Sequence, residues 1–271
     1  MRNIWITVSY EGSAYAGFQR QQNALTVQEV LEKVLQRLTG QRTVLYFVAR
    51  TDAGVHAWGQ ECTFHTESSI PGSRFRMAMN TLLPPDIRVR ISRDMPLSFS
   101  VRKQNRGKTY VYLLTERHSP SPFLRRYTWA CGLDFDIHNM KACAAVLEGT
   151  HDFTSLRGHN SVTSDPVRTI NRIQIVPGEE IWRIYVTGSG FLYHMVRNMA
   201  GLLADAGRGL LDPKQLQTIL EARDRTKLGP TAPAEGLCLL HVYFEEITET
   251  TVNQAEEEAV FPWTPGKTKR S

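Results

Sequence analysis

The feature that most narrows the possible folds is an order of hydrophobic periods that occurs twice. Ile4, Ile6, Val8 and Tyr10 alternate along one face of a strand near 3–10. Val27, Val30, Leu31, Val34, Leu35 and Leu38 then follow helical spacing near 27–38, with Thr26 and Glu29 as a capping box. Strand-like runs near 43–49 and 58–66 follow, then a helix near 73–82 stopped by Pro84-Pro85, then a strand near 87–92. The sum is β-α-β-β-α-β, the ferredoxin-like order. A second set opens with a strand at 108–115 and a helix at 137–148, with Asp136 as N-cap and Gly149 past its end. Strands near 168–176 and 181–187, helices near 192–206 and from Pro213 after Asp212, and a strand at 237–246 complete it. The expectation is an α+β chain of two ferredoxin-like (RRM-like) halves, 1–104 and 105–247, joined edge to edge in a largely antiparallel central sheet. Only the order of elements repeats, not residue identity. From 248 onward the chain turns polar, with Glu256-Glu257-Glu258 and then Pro265, Lys267, Lys269 and Arg270, which predicts a flexible tail over 248–271.

Charge and cysteine usage bound the partners. The 32 basic and 27 acidic residues leave a net charge of +5, which permits polyanion binding without requiring it. Cys62, Cys131, Cys143 and Cys238 form no C-x-x-C pair, so free thiols are expected. The N-terminus opens as an alternating strand, not as a basic segment leading into an apolar run. A cytoplasmic protein with no signal peptide and no membrane span is therefore expected. No G-x-G-x-x-G or Walker-type loop is present, and no cofactor is called for.

Chemistry concentrates in Arg50-Thr51-Asp52-Ala53-Gly54-Val55-His56-Ala57, which connects two predicted strands. The small residues Ala53, Gly54 and Ala57 let a substrate approach the backbone, and Arg50 could hold the acid ionised or grip a phosphate. An aspartate in such a turn commonly does no more than cap backbone N–H groups, so the residues by themselves leave nucleophile and turn former both open. Asp52, His56 and His65 could be read as metal ligands, but no other His or Cys pair supplies a recognisable spacing, and no metal is expected.

This string resembles the signature of the TruA-type tRNA pseudouridine synthases. Further matches follow in family order over about residues 3 to 247. They are Val8 to Gln21 with Thr26 to Glu32, Asn80 with Leu83-Pro84, Lys108-Thr109-Tyr110, His151 to Ser155, Gly190 to Asn198, and Ala232 to Leu237. The resemblance implies the pseudouridine synthase fold, with an active cleft across the shared sheet. It also implies isomerisation of uridine at positions 38, 39 and 40 of the tRNA anticodon stem-loop, a homodimer, and neither cofactor nor metal. By the same resemblance Asp52 is the nucleophile, Tyr110 stacks on the target base, Arg197 pairs with the nucleophile and Leu237 lines the base pocket. Arg50, Arg102 and Arg168, with Lys108, His194 and Arg20, are candidates to meet RNA. On periodicity alone Tyr110 reads equally well as core, and Arg197, beside Leu192, Val196, Met199 and Leu203, as a surface side chain reaching to water. Two departures stand out: Ser100 where many relatives carry histidine, and Ala49 where many carry glycine. Rival readings are a non-catalytic RNA-binding protein of the same fold, a paralogue modifying a different RNA position, and a metal-dependent hydrolase built on Asp52.

Overall fold

A computed structural model describes residues 1–115, 121–131, 134–158 and 165–258. The elements of the first part are β1 (Arg2–Tyr10), α1 (Val27–Thr39), β2 (Tyr46–Phe47), β3 (His56–Thr66), α2 (Phe75–Asn80), β4 (Ile87–Met95) and α3 (Val101–Gln104). Then come β5 (Gly107–Thr115), β6 (Trp129–Ala130), α4 (Ile137–Leu147), β7 (Gly149–Asp152), β8 (Val167–Val176) and β9 (Trp182–Gly188). The chain continues through α5 (Met195–Gly207), α6 (Pro213–Ala222), β10 (Leu237–Tyr243) and α7 (Glu249–Glu258).

One ten-stranded sheet runs β4-β1-β3-β10-β5-β9-β8-β7, with β2 beside β3 and β6 beside β5. The fold is α+β and the sheet is mostly antiparallel. The exceptions among the described residues are β6 on β5 and a short seam in which Cys238 and Leu239 of β10 run parallel to His56 and Ala57 of β3. On its other side β10 pairs antiparallel with β5. The last strand among the described residues therefore inserts between the two sets of strands.

Strand alternation sorts the side chains. Ile4, Ile6, Val8, Phe64, Tyr112, Leu114 and Ile184 join the buried faces of α1, α2, α4, α5 and α6 in one continuous core. Val111, Leu113, Cys238 and Leu240 face the other way and are covered by Leu124 and Ile181. The helix ends follow from local chemistry. Thr26 Oγ1 accepts the Glu29 N–H, Asp136 accepts the N–H groups of His138 and Asn139, and Asp212 forms a reciprocal capping box with Gln215.

Several expectations are corrected. The run 43–49 is a strand only at Tyr46–Phe47, because side chains take the flanking main-chain groups: Glu32 accepts the Leu45 N–H, and the Gln60 amide bonds both N–H and C=O of Ala49. The helix near 73–82 opens as a 3₁₀ turn over Gly72–Arg74 and is α-helical only over Phe75–Asn80. Asn80 then bonds the N–H and C=O of Val89 at 2.9 and 2.8 Å, satisfying outward groups of the edge strand β4 as a neighbouring strand would. The last strand ends at Tyr243. The start of the predicted tail is α7, whose Val252 and Ala255 bury against Tyr243 beside Ile247, an i, i+3 pair too sparse to stand out in an acidic segment. The remainder of that tail, 259–271, lies outside the described residues.

Glu61 is buried on the face of the sheet opposite α1 and α2, accepting hydrogen bonds from Trp5 Nε1 and Thr7 Oγ1. Burial raises its carboxyl from 4.5 to about 7, against the pull of those bonds and of Arg93 and Arg90. A raised folded value favours the protonated acid, so its contribution is complete below pH 4.5 and is lost as the pH rises through about 7. The loss is on the order of 3 kcal/mol. Urea unfolding across this range should show stability falling with pH more steeply in the wild-type chain than in Glu61→Gln, which keeps both hydrogen bonds and cannot ionise.

Candidate active site

Asp52 sits on the 48–55 connection between β2 and β3, and that loop is held from behind by the opening segment. Tyr10 Oη meets Thr51 Oγ1 at 2.7 Å, the Phe18 N–H reaches the Thr51 carbonyl, and the Gly54 N–H reaches the Tyr15 carbonyl. A Cβ on Gly12 would lie 2.0 Å from the Val55 carbonyl oxygen, and one on Gly17, at φ +88°, 2.5 Å from that of Thr51. Both positions need glycine for close approach, the second also for its backbone angle. His56 is a strut: Nδ1 accepts the Gly12 N–H at 2.9 Å and Nε2 lies 2.8 and 3.1 Å from the carbonyls of Arg126 and Glu235. With both ring nitrogens so used, and His65 nine residues further along a strand, roughly 30 Å away, the set Asp52, His56 and His65 does not assemble.

The facing wall comes from the turn between β9 and α5. Arg197, in the first turn of α5, donates from Nε to the Ala232 carbonyl at 2.7 Å and from Nη1 to Asp52 Oδ2 at 3.2 Å. One nitrogen is fixed by main chain and the other is aimed at the carboxylate. His194 Nε2 lies 3.4 Å from the same oxygen. Its backbone is left-handed, at φ +61°, which is why α5 begins at Met195 and not near 192.

Asp52, Arg50, Lys108, Tyr110, His194, Arg197 and Leu237 all line one cavity of about 610 Å³. This size suits a small organic ligand or a single nucleotide. Tyr110 is 7% exposed, with its ring edge-on to Phe191 at 5.2 Å. Burial pushes its phenol well up, and the charge of Asp52 adds to the effect. Burial lowers Lys108, with Arg168 adding to the shift. At His194, burial lowers the imidazole and Arg197 reinforces this, while Asp52 pulls the other way. Burial prevails, and the net direction is down.

Three predicted RNA contacts stand apart from the cavity wall. Arg102 Nε donates to the Phe47 carbonyl at 3.0 Å, with its guanidinium over the Phe47 ring. Arg168 binds the carbonyls of Asp165 and Val167. Arg20 pairs with Glu32 at 2.6 Å. Phe191 and Tyr193 carry no mark in the sequence, because helical spacing read from 192 onward hides an aromatic pair at i, i+2 that lies in the turn before α5. The sequence likewise gives Gly12 and Gly17 no task, since their contacts are with backbone far along the chain.

A carboxylate facing a fixed guanidinium, in a cavity with an aromatic wall, can add to an electrophilic carbon of a planar ring or of the sugar attached to it. A family model described as tRNA pseudouridine synthase matches residues 6–102 and 143–245. The tRNA pseudouridine synthase A of Acetivibrio thermocellus is 40% identical over 244 residues, covering 90% of this chain and all of that protein. Those of Clostridium acetobutylicum and Geotalea daltonii are 39% and 38% identical over the same 90% of this chain and 100% of theirs. On these matches, the chain belongs to the tRNA pseudouridine synthase family.

Proposed function

We propose that this chain isomerises uridine to pseudouridine at positions 38, 39 and 40 of the tRNA anticodon stem-loop, with Asp52 as nucleophile. The observation that carries this reading is the Asp52 carboxylate held 3.2 Å from Arg197 in a cavity that Tyr110 and Leu237 also line. The reaction breaks the bond from N1 to C1′, turns the uracil, joins C5 to C1′, releases the C5 proton and leaves a proton on N1. Nothing is gained or lost overall, so no redox partner is needed. Asp52 bonds covalently to the substrate and leaves again unchanged. Arg197 keeps its carboxylate charged and oriented, and Tyr110 supplies the plane on which the base is held as its attachment changes.

A uridine within a stem must leave the stack to enter such a cavity. Arg50, Lys108 and His194 on its wall, with Arg102 and Arg168 beyond it, are assigned to the RNA, reading backbone and shape more than base edges. The halves 1–104 and 105–247 are taken as two sides of the cleft, since Asp52 comes from one and Tyr110, Arg197 and Leu237 from the other. A homodimer acting in the cytoplasm completes the reading. Among the described residues no helix is long and apolar enough to cross a membrane.

Release of tritium from tRNA labelled at uridine C5 tests this directly. The wild-type chain should release it, and should do so in chelator on a stem-loop folded by monovalent salt. Asp52→Asn should lose on the order of 10⁴-fold or more; wild-type turnover in that variant would remove Asp52 from the chemistry.

Two further variants separate roles within the cavity. Tyr110→Phe keeps the stacking ring and loses the hydroxyl, so RNA affinity should hold while tritium release falls roughly 10²-fold or more. Arg197→Lys keeps a charge but not the fork that spans the Ala232 carbonyl and Asp52. Single-turnover kinetics should show a rate about 10²-fold lower with little change in KM.

A further inference from the structure

The cavity has a second aromatic feature that the proposed chemistry does not use. Tyr193 lines its wall and is 49% exposed, whereas Tyr110 is almost wholly enclosed. Its ring stacks on that of His194 with centroids 3.8 Å apart and planes 27° from parallel. The pair is braced by main chain: the Gly158 N–H donates to the Tyr193 carbonyl at 2.7 Å. A Cβ on Gly158 would lie 2.6 Å from Tyr193 Cδ1 and 3.0 Å from His194 Nδ1, so the backbone is pressed against both rings. The left-handed conformation of His194 folds its ring back beneath its neighbour, an uncommon backbone state for a residue with a Cβ.

Large exposed aromatic rings are costly to hold in one place unless they meet something. Here one ring is backed by an imidazole whose Nε2 lies 3.4 Å from Asp52 Oδ2, and Tyr193 itself lines the cavity while remaining half exposed. This is the arrangement of a stacking platform, rigid behind and open in front.

We propose that the Tyr193–His194 pair is a second base-stacking platform, which receives the nucleotide adjoining the target uridine when the uridine enters the cavity. The inference rests on the isomerase reading and extends it. Extruding one base leaves its neighbour without a stacking partner, and an aromatic face at the cavity wall replaces the lost contact. Such a face reads no base edge, so it tolerates any neighbour and favours purines for their larger surface. Tyr193 is a positioning residue in this scheme and touches none of the reacting atoms.

The test uses an anticodon stem-loop carrying 2-aminopurine on the 5′ or the 3′ side of the target uridine, with the full-length chain. Stacking on tyrosine should quench the emission of 2-aminopurine at one of these two positions on binding. Tyr193→Phe should keep the quench and the wild-type KM. Tyr193→Leu, which retains bulk without a π face, should lose the quench and raise KM about 10-fold or more at nearly unchanged kcat. An unaltered thermal midpoint in Tyr193→Leu separates this from misfolding. If Tyr193→Leu shows the wild-type quench and KM, the platform is wrong while tritium release by the wild-type chain leaves the isomerase reading standing. Absence of tritium release from the wild-type chain would instead overturn the isomerase reading itself.

Discussion

The site depends on two rungs of parallel pairing, Cys238 with His56 and Leu239 with Ala57. His56 ends the loop that carries Asp52, and Leu237, next to Cys238, lines the cavity. The same strand is bonded on its far side to β5, where Leu239 faces Tyr110. A single strand thus sets the spacing between the aspartate loop and the tyrosine. Its approach, through Ala232 to Gly236, also supplies the carbonyl that fixes Arg197 and the residue that packs against Gly54. Slippage of the seam by one residue would turn Leu237 to the opposite face and separate the groups it unites.

Behind the cavity, packing tolerances replace electrostatics as the controlling term. Gly12 and Gly17 touch the carbonyls of Val55 and Thr51 at distances no side chain permits, and His56 ties three segments through its ring. The loop is therefore over-determined from the rear and open only toward the cavity, which is how a carboxylate on a surface connection comes to have a defined direction.

Local patterns carried most of the fold. The amphipathic spacing of α1, the aspartates before α4 and α6, the alternation in β1 and the strand-like run at 108–115 each correspond to an element within a residue or two. Where local reading failed over 43–49, side chains from elsewhere had intervened, Glu32 and Gln60 drawing the run out of the ladder; at α5 the left-handed backbone of His194 delayed the helix. In the site, the acid and its neighbours were visible as a motif, and the cavity does unite Asp52, Tyr110, Arg197 and Leu237. Nothing in spacing told Arg197 from an ordinary surface arginine; its direction follows from an Ala232 carbonyl 35 residues away. Tyr193 was equally mute, since its exposure depends on the backbone angle of the following residue.

The position of β10 also has a consequence in time. His56 meets the Glu235 carbonyl across 179 residues of chain, so the strand that pairs with the start of β3 is made long after it. At ribosomal rates of about 5–20 residues per second, the emerging first half waits roughly 10–35 s with the His56–Ala57 end of that edge unpaired. Contacts of such separation also slow the closing step itself. A nascent or truncated chain that lacks β10 has no strand to hold its aspartate loop against the wall between β9 and α5, and has an open strand edge suited to pairing with another copy. Completion of the cavity and protection from aggregation are thus one event, set by when β10 arrives.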